Sequence, residues 1–153
     1  MNIPRHDWPR ALATQSKKQL AAVLNEIAAH WTITPVQLPQ TGLAILQLRD
    51  SAFNDPYFLG EIPLASAWVT VSTEDNLEYQ GAAQLMDDDR GKIEALAVAD
   101  AVLAHQLPGW LALYHLVEIG MAELTAEQNL RNAMLAKTRV DFALLNATEN
   151  GDD

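Results

Sequence analysis

Residues 58–105 read FLGEIPLASAWVTVSTEDNLEYQGAAQLMDDDRGKIEALAVADAVLAH, and this stretch decides the fold. Trp68-Val69-Thr70-Val71 is a β-branched and aromatic cluster with little helix preference, which predicts a strand over 58–71. Thr73-Glu74-Asp75-Asn76 carries the short polar side chains that bond their own backbone in turns. A second strand follows over 79–86. Asp87, Asp88 and Asp89 can cap the free amides of a following helix and complement its positive end. Residues 91–105 then form that helix. It is apolar almost all round, as a helix buried on most sides is.

Outward from this run, Ser16-Lys17-Lys18-Gln19 is a capping box. Leu20, Val23, Leu24, Ile27, Ala28 and Trp31 recur behind it at helical spacing, so an amphipathic helix is expected over 16–30. Residues 1–15 read as a loose arm, interrupted by Pro4 and Pro9 and anchored by Trp8. Residues 32–38 alternate at period two, and Pro35 places that strand on an edge. Pro39-Gln40-Thr41-Gly42 reads as a turn and 43–48 as the next strand. Pro63 implies a bulge or bend in the strand over 58–71. Leu107-Pro108-Gly109 ends the central helix. Trp110, Leu111, Tyr114, Val117 and Met121 mark a shorter one. Thr125-Ala126-Glu127-Gln128 is a second capping box, and a last helix is expected over 126–145. Residues 146–153 form a polar tail.

The expected fold is therefore a single α+β domain over 1–153: a four-stranded antiparallel sheet, helices mainly on one face, in the order α-β-β-β-β-α-α-α. Short loops between neighbouring strands make the sheet antiparallel.

The chain has 153 residues and is 49% hydrophobic, enough for one sizeable core. With no cysteine, disulfides, thiolate metal sites, iron–sulfur ligation and thiol nucleophiles are excluded. The N-terminus has no apolar signal core and no run reaches the roughly 18 apolar residues of a membrane span, so a cytoplasmic location is expected. The net charge is −10, and between Asp50 and Ala104 the only cations are Arg90 and Lys92. Such a surface repels nucleic acid and free nucleotides.

Few residues invite a chemical reading. Asp87, Asp88 and Asp89 are consecutive, whereas metal loops interleave their ligands, and the helix-cap reading is favoured. His6, His30, His105 and His115 have no metal-site spacing and read as surface or cap residues. Asp100 interrupts an apolar helix. It could be a catalytic base, but such a residue is more often tied to a backbone amide or an arginine. Glu61, after Gly60, could be a site carboxylate and is more readily a strand-edge or interface one. There is no GxGxxG, Walker loop or GxSxG.

Several short motifs resemble, in order, those of the PhnG family, the G subunits of the bacterial carbon–phosphorus lyase complex. They are Trp8-Pro9-Arg10-Ala11-Leu12-Ala13; Thr41-Gly42-Leu43 with Gln47-Leu48-Arg49; and Tyr57-Phe58-Leu59-Gly60-Glu61-Ile62. Asp89-Arg90 with Glu94 and Ala99-Asp100-Ala101 continue the pattern, and Arg139-Val140-Asp141-Phe142 closes it. The resemblance implies a subunit that works with H, I and L subunits. Together these use MgATP and methylphosphonate to form alpha-D-ribose 1-methylphosphonate 5-triphosphate, releasing adenine. It implies that the I subunit carries the nucleosidase-type chemistry and that the G subunit binds it in a core with H and J. The iron–sulfur radical chemistry belongs to J. No catalytic residue carries over, and no cofactor is expected in this chain. The family-motif or interface residues are Arg49, Gly60, Glu61, Asp89, Asp100, Arg139, Asp141 and Phe142.

The chain agrees with a passive role, because a site for ATP and a phosphonate needs cationic or metal-based stabilisation. Two alternatives remain: a small stand-alone hydrolase or lyase using Asp100, Glu61 or the Asp87–Asp89 corner, and a dimeric adaptor outside the pathway. Apolar surplus around Trp110, Leu111, Tyr114, Met134, Val140 and Phe142 is expected to mark an interface and to make the isolated chain self-associate.

Overall fold

The computed structural model describes residues 2–137. A 3-10 turn at Arg5–Asp7 leads into α1 (Trp8–Leu12) and α2 (Lys17–Ile27). Three strands follow, β1 (Thr32–Arg49), β2 (Pro56–Ser72) and β3 (Glu78–Leu85). Two helices complete the described chain, α3 (Arg90–Ala104) and α4 (Trp110–Lys137). The strands form one antiparallel sheet in the order β1-β2-β3.

Among the described residues the sheet has three strands, not the expected four, and the element order changes accordingly. The two strands expected over 32–38 and 43–48 are one continuous strand, β1, and Pro39–Gly42 does not reverse the chain. The partner explains this. β2 is long enough to pair from Thr32↔Ser72 out to Arg49↔Pro56, so both halves of β1 find ladder partners without turning back. Gly42 does not have the positive φ that a glycine-dependent turn would use. The prolines are absorbed where the register slips, between Pro35 and Gln37 and between Gln37 and Gln40, on an edge strand that tolerates a missing donor.

The helical half is corrected as well. The helices expected around Trp110–Met121 and from Ala126 onward are one helix, α4. Thr125 lies inside it, and its hydroxyl donates to the Met121 carbonyl at 2.8 Å instead of capping a new N-terminus. Ala122, Glu123 and Leu124 before it, with Ala126, Glu127 and Gln128 after it, are strong helix formers, and one polar side chain does not outweigh them. By contrast Ser16 does cap α2, its hydroxyl accepting from the Gln19 amide at 3.2 Å.

The segment expected as a loose arm is packed. Trp8, Ala11 and Leu12 are buried in the core. Pro9 sits in the first turn of α1, where a missing N–H costs nothing. The Trp8 indole donates to the Ile3 carbonyl at 3.0 Å, and the Tyr114 hydroxyl accepts from the Asn2 amide at 2.8 Å.

Burial along β2 alternates. Ala65, Ala67, Val69 and Val71 are buried, while Trp68 on the other face is 41% exposed. α3 covers the buried face of β2 and β3 with Ile93, Leu96, Ala97, Ala101 and their neighbours. Gly81 of β3 permits this contact, because a Cβ there would overlap the Ala97 carbonyl and the Ala101 amide. α4 lies across α1 and α3 through Leu113, Leu116 and Val117.

Candidate functional site

Asp100 is almost wholly buried on α3. Its carboxylate accepts from Arg5 Nε at 2.8 Å and Nη2 at 2.7 Å, and from the Ala82 amide at 3.0 Å. The bidentate bond with Asp100 raises the Arg5 guanidinium above its ordinary value. The amide of Ala82 lies on the outer edge of β3, beside which the described residues place no further strand. One side chain thus ties three elements together: the N-terminal turn, the free edge of β3 and α3. A general base must hold a lone pair open towards a substrate. Asp100 directs its lone pairs to Arg5 and Ala82, so the geometry is that of a structural clasp. Sequence reasoning singled out Asp100 and the kinds of partner it needs, but missed Arg5.

The acidic corner is engaged in the same way. Asp87 accepts from the amides of Asp88 and Asp89 at 2.8 and 3.0 Å and from Lys92 Nζ at 2.8 Å. Asp89 caps α3 by accepting from the Lys92 amide at 3.0 Å, and it pairs with Lys17 Nζ at 2.8 Å. Lys92 holds the Asp87 carboxyl below the usual carboxylate range, and Lys17 does the same for Asp89. The corner fastens the start of α2 to the start of α3. Among the described residues no group of three or more His, Cys, Asp or Glu side chains could hold a metal ion.

Arg49, Gly60 and Glu61 lie elsewhere and together. β3 pairs with β2 only as far as Ala65↔Leu85. Beyond that point residues 42–64 form a two-stranded ribbon that β3 does not extend along. Leu43 and Phe58 on it are 69% and 70% exposed. Glu61 is exposed opposite Ile45. Gly60 has φ +153°, a conformation other residues rarely adopt, and the register slips beside it so that Leu59 has no partner on β1. The ribbon tip is held by local bonds. Asp50 accepts from the amides of Ala52 and Phe53 at 2.8 and 2.6 Å, and Arg49 donates to the Asn54 carbonyl at 3.0 Å. Those amides, chiefly that of Phe53, keep the Asp50 carboxyl below its ordinary value. The result presents Phe53 at 83% exposure.

The apolar surplus expected on the C-terminal helices is present in part. Trp110 and Tyr114 pack partly buried against the core, whereas Leu111 and Met134 are exposed on α4. Arg139, Val140, Asp141 and Phe142 lie outside the described residues. A groove of about 580 Å³ between α2 and α3 is lined by Ala21, Leu24, Ala28, Gly91 and Ala95, and its charged lining residue is Glu94. A groove lined in this way has no cationic cradle for phosphate.

Together these features describe an α+β chain whose acidic clusters serve the fold and whose exposed apolar side chains lie on the ribbon and on α4. The family model described as "Phosphonate metabolism protein PhnG" matches residues 3–146. The alpha-D-ribose 1-methylphosphonate 5-triphosphate synthase subunit PhnG of Rhizobium meliloti (strain 1021) is 30% identical over 141 residues, covering 90% of this chain and 85% of that relative. The chain belongs to the PhnG family of phosphonate metabolism proteins.

Proposed function

We propose that this chain is a non-catalytic subunit of a cytoplasmic complex that forms alpha-D-ribose 1-methylphosphonate 5-triphosphate from MgATP and methylphosphonate, with release of adenine. Its relative in Rhizobium meliloti is a subunit of that synthase. In this reading it supports an I-type subunit, within a core that also holds H- and J-type subunits, and an L-type subunit joins the reaction. One observation carries the non-catalytic part. Asp100, Asp87 and Asp89, the carboxylates best placed to do chemistry, are engaged by Arg5, Lys92, Lys17 and backbone amides, while Arg49, Gly60 and Glu61 sit on an exposed ribbon. Transfer to or from a triphosphate needs concentrated positive charge, and a chain of net charge −10 leaves that to its partners.

The test is reconstitution. The chain purified alone is expected to release no adenine from ATP and methylphosphonate. Co-expressed with the I-, H- and L-type subunits it is expected to co-purify with them and to be required for adenine release. ATP turnover by the chain alone, abolished by Asp100→Asn, would overturn this reading in favour of a carboxylate-dependent enzyme.

A further inference from the structure

The ribbon over residues 42–64 carries exposed apolar side chains on both faces, with the polar Gln47 and Glu61 on the face of Ile45. Cross-strand partners share a face, so the register assigns the sides. Leu43 and Ile45 share one with Phe58, and all three are exposed. The other carries Leu48 and Tyr57, again exposed, with Ala44, Leu46 and Ile62 half-buried. An isolated two-stranded ribbon is marginal in water. This one has no third strand from the described chain, and its tip residue Phe53 is held outward by Asp50 and Arg49.

Area limits what can cover it. Nine residues at about 3.3 Å each, across two strands about 10 Å wide, give one face on the order of 300 Å². A stable interface needs about 800 Å² from each partner. One face is too small; both faces together with the tip approach that figure. A second copy related by a two-fold axis would meet one face of the ribbon and leave the other in water. It would also bring together two chains of net charge −10 each. The ribbon's own charges repeat that sign, with Asp50, Asp55 and Glu61 against Arg49.

We infer that a non-identical subunit grips residues 42–64 in a cleft with apolar walls and a cationic rim, closing over both faces and seating Phe53 at its base. This rests on the complex membership proposed above and names the surface and the chemistry of the partner.

Site-specific photo-crosslinking in the co-expressed complex with the I-, H- and L-type subunits tests it. A photoreactive residue is placed at Leu43 for one face, Tyr57 for the other and Phe53 for the tip, with Leu130 on α4 outside the ribbon. Both faces and the tip are expected to crosslink to one and the same non-identical subunit. Phe53→Ala is expected to weaken assembly about 30-fold, in the range of an interface anchor. Glu61→Lys with Asp55→Lys is expected to slow association without changing the circular dichroism, since neither side chain is in the core. Crosslinks from one face alone, crosslinks to a second copy, or an intact complex with the ribbon uncrosslinked would overturn the inference and leave the proposed function standing. Failure of any complex to form would overturn both.

Discussion

Asp100 and Arg5 are 95 residues apart in sequence and share two hydrogen bonds. The need for a partner was legible in the sequence, because an aspartate inside an apolar helix must be satisfied. The identity of the partner was not, because it depends on how the N-terminal turn packs over the edge of β3. The pair should behave as a unit. Arg5→Ala leaves a buried carboxylate with one amide donor and is expected to cost about 1–3 kcal/mol. In an Asp100→Ala background the same change is expected to cost much less. Denaturant unfolding of both single variants and the double variant reads that coupling, and strictly additive effects would show that the clasp does not hold. The acidic corner gives a second expectation. Asp87 and Asp89 are held below their ordinary values by Lys92 and Lys17, so the folded state binds fewer protons at those sites than the unfolded chain. Their contribution is complete above the unfolded carboxylate value of about 3.9 and is lost as pH falls through the lower folded values. Urea midpoints between pH 7 and pH 3 should therefore be level at first and then decline below about pH 4. Lys92→Met should lower the plateau and make the acid decline shallower. An unchanged slope in that variant would contradict the pairing with Asp87.

At the scale of elements, the sequence was most informative where local signals and tertiary demands agree. The strand around Trp68–Val71, the Ser16 cap of α2 and the Asp89 cap of α3 are of this kind. It misled at Pro39–Gly42 and at Thr125, where a local punctuation signal lost to its surroundings. A long partner strand overrode the first, and continuous helix propensity overrode the second. The ribbon could have been suspected from the apolar runs on either side of Asp50–Pro56, but only the pairing shows that β3 stops short of it. Two substitutions separate body from ribbon. Gly81→Ala, where Cβ would meet the Ala97 carbonyl and Ala101 amide, is expected to cost about 1–3 kcal/mol through overpacking between β3 and α3. Gly60→Ala has open space around it, and its cost comes only from φ +153°, again about 1–3 kcal/mol but confined to the ribbon. Amide hydrogen exchange distinguishes them. Gly81→Ala should lower protection throughout α3 and β3, whereas Gly60→Ala should lower it only over 42–64. Loss of protection across the whole body in Gly60→Ala would mean that the ribbon is integral to the core.

For the whole molecule, charge and apolar exposure oppose one another. The net charge of −10 repels a second copy, while exposed Leu43, Phe53 and Phe58 attract one. Salt weakens the first force and leaves the second largely intact, because the Debye length shrinks from about 10 Å at 0.1 M to about 3 Å at 1 M. The isolated chain is therefore expected to self-associate more as salt is raised. Assembly with a partner whose rim is cationic depends on attraction across the same distances and should respond in the opposite sense, associating more slowly in high salt. Sedimentation velocity of the isolated chain between 0.05 and about 1 M sodium chloride measures the first trend. Stopped-flow association with the I-type subunit over the same range measures the second. A monomer that stays monomeric at every salt concentration would show that the exposed ribbon is not sticky in water. Association with the partner that speeds up with salt would show that the rim it meets is not cationic. The opposite signs matter because either trend alone fits a merely soluble acidic protein, whereas the two together require an apolar surface kept from its own copies by charge and reserved for a partner of the other sign.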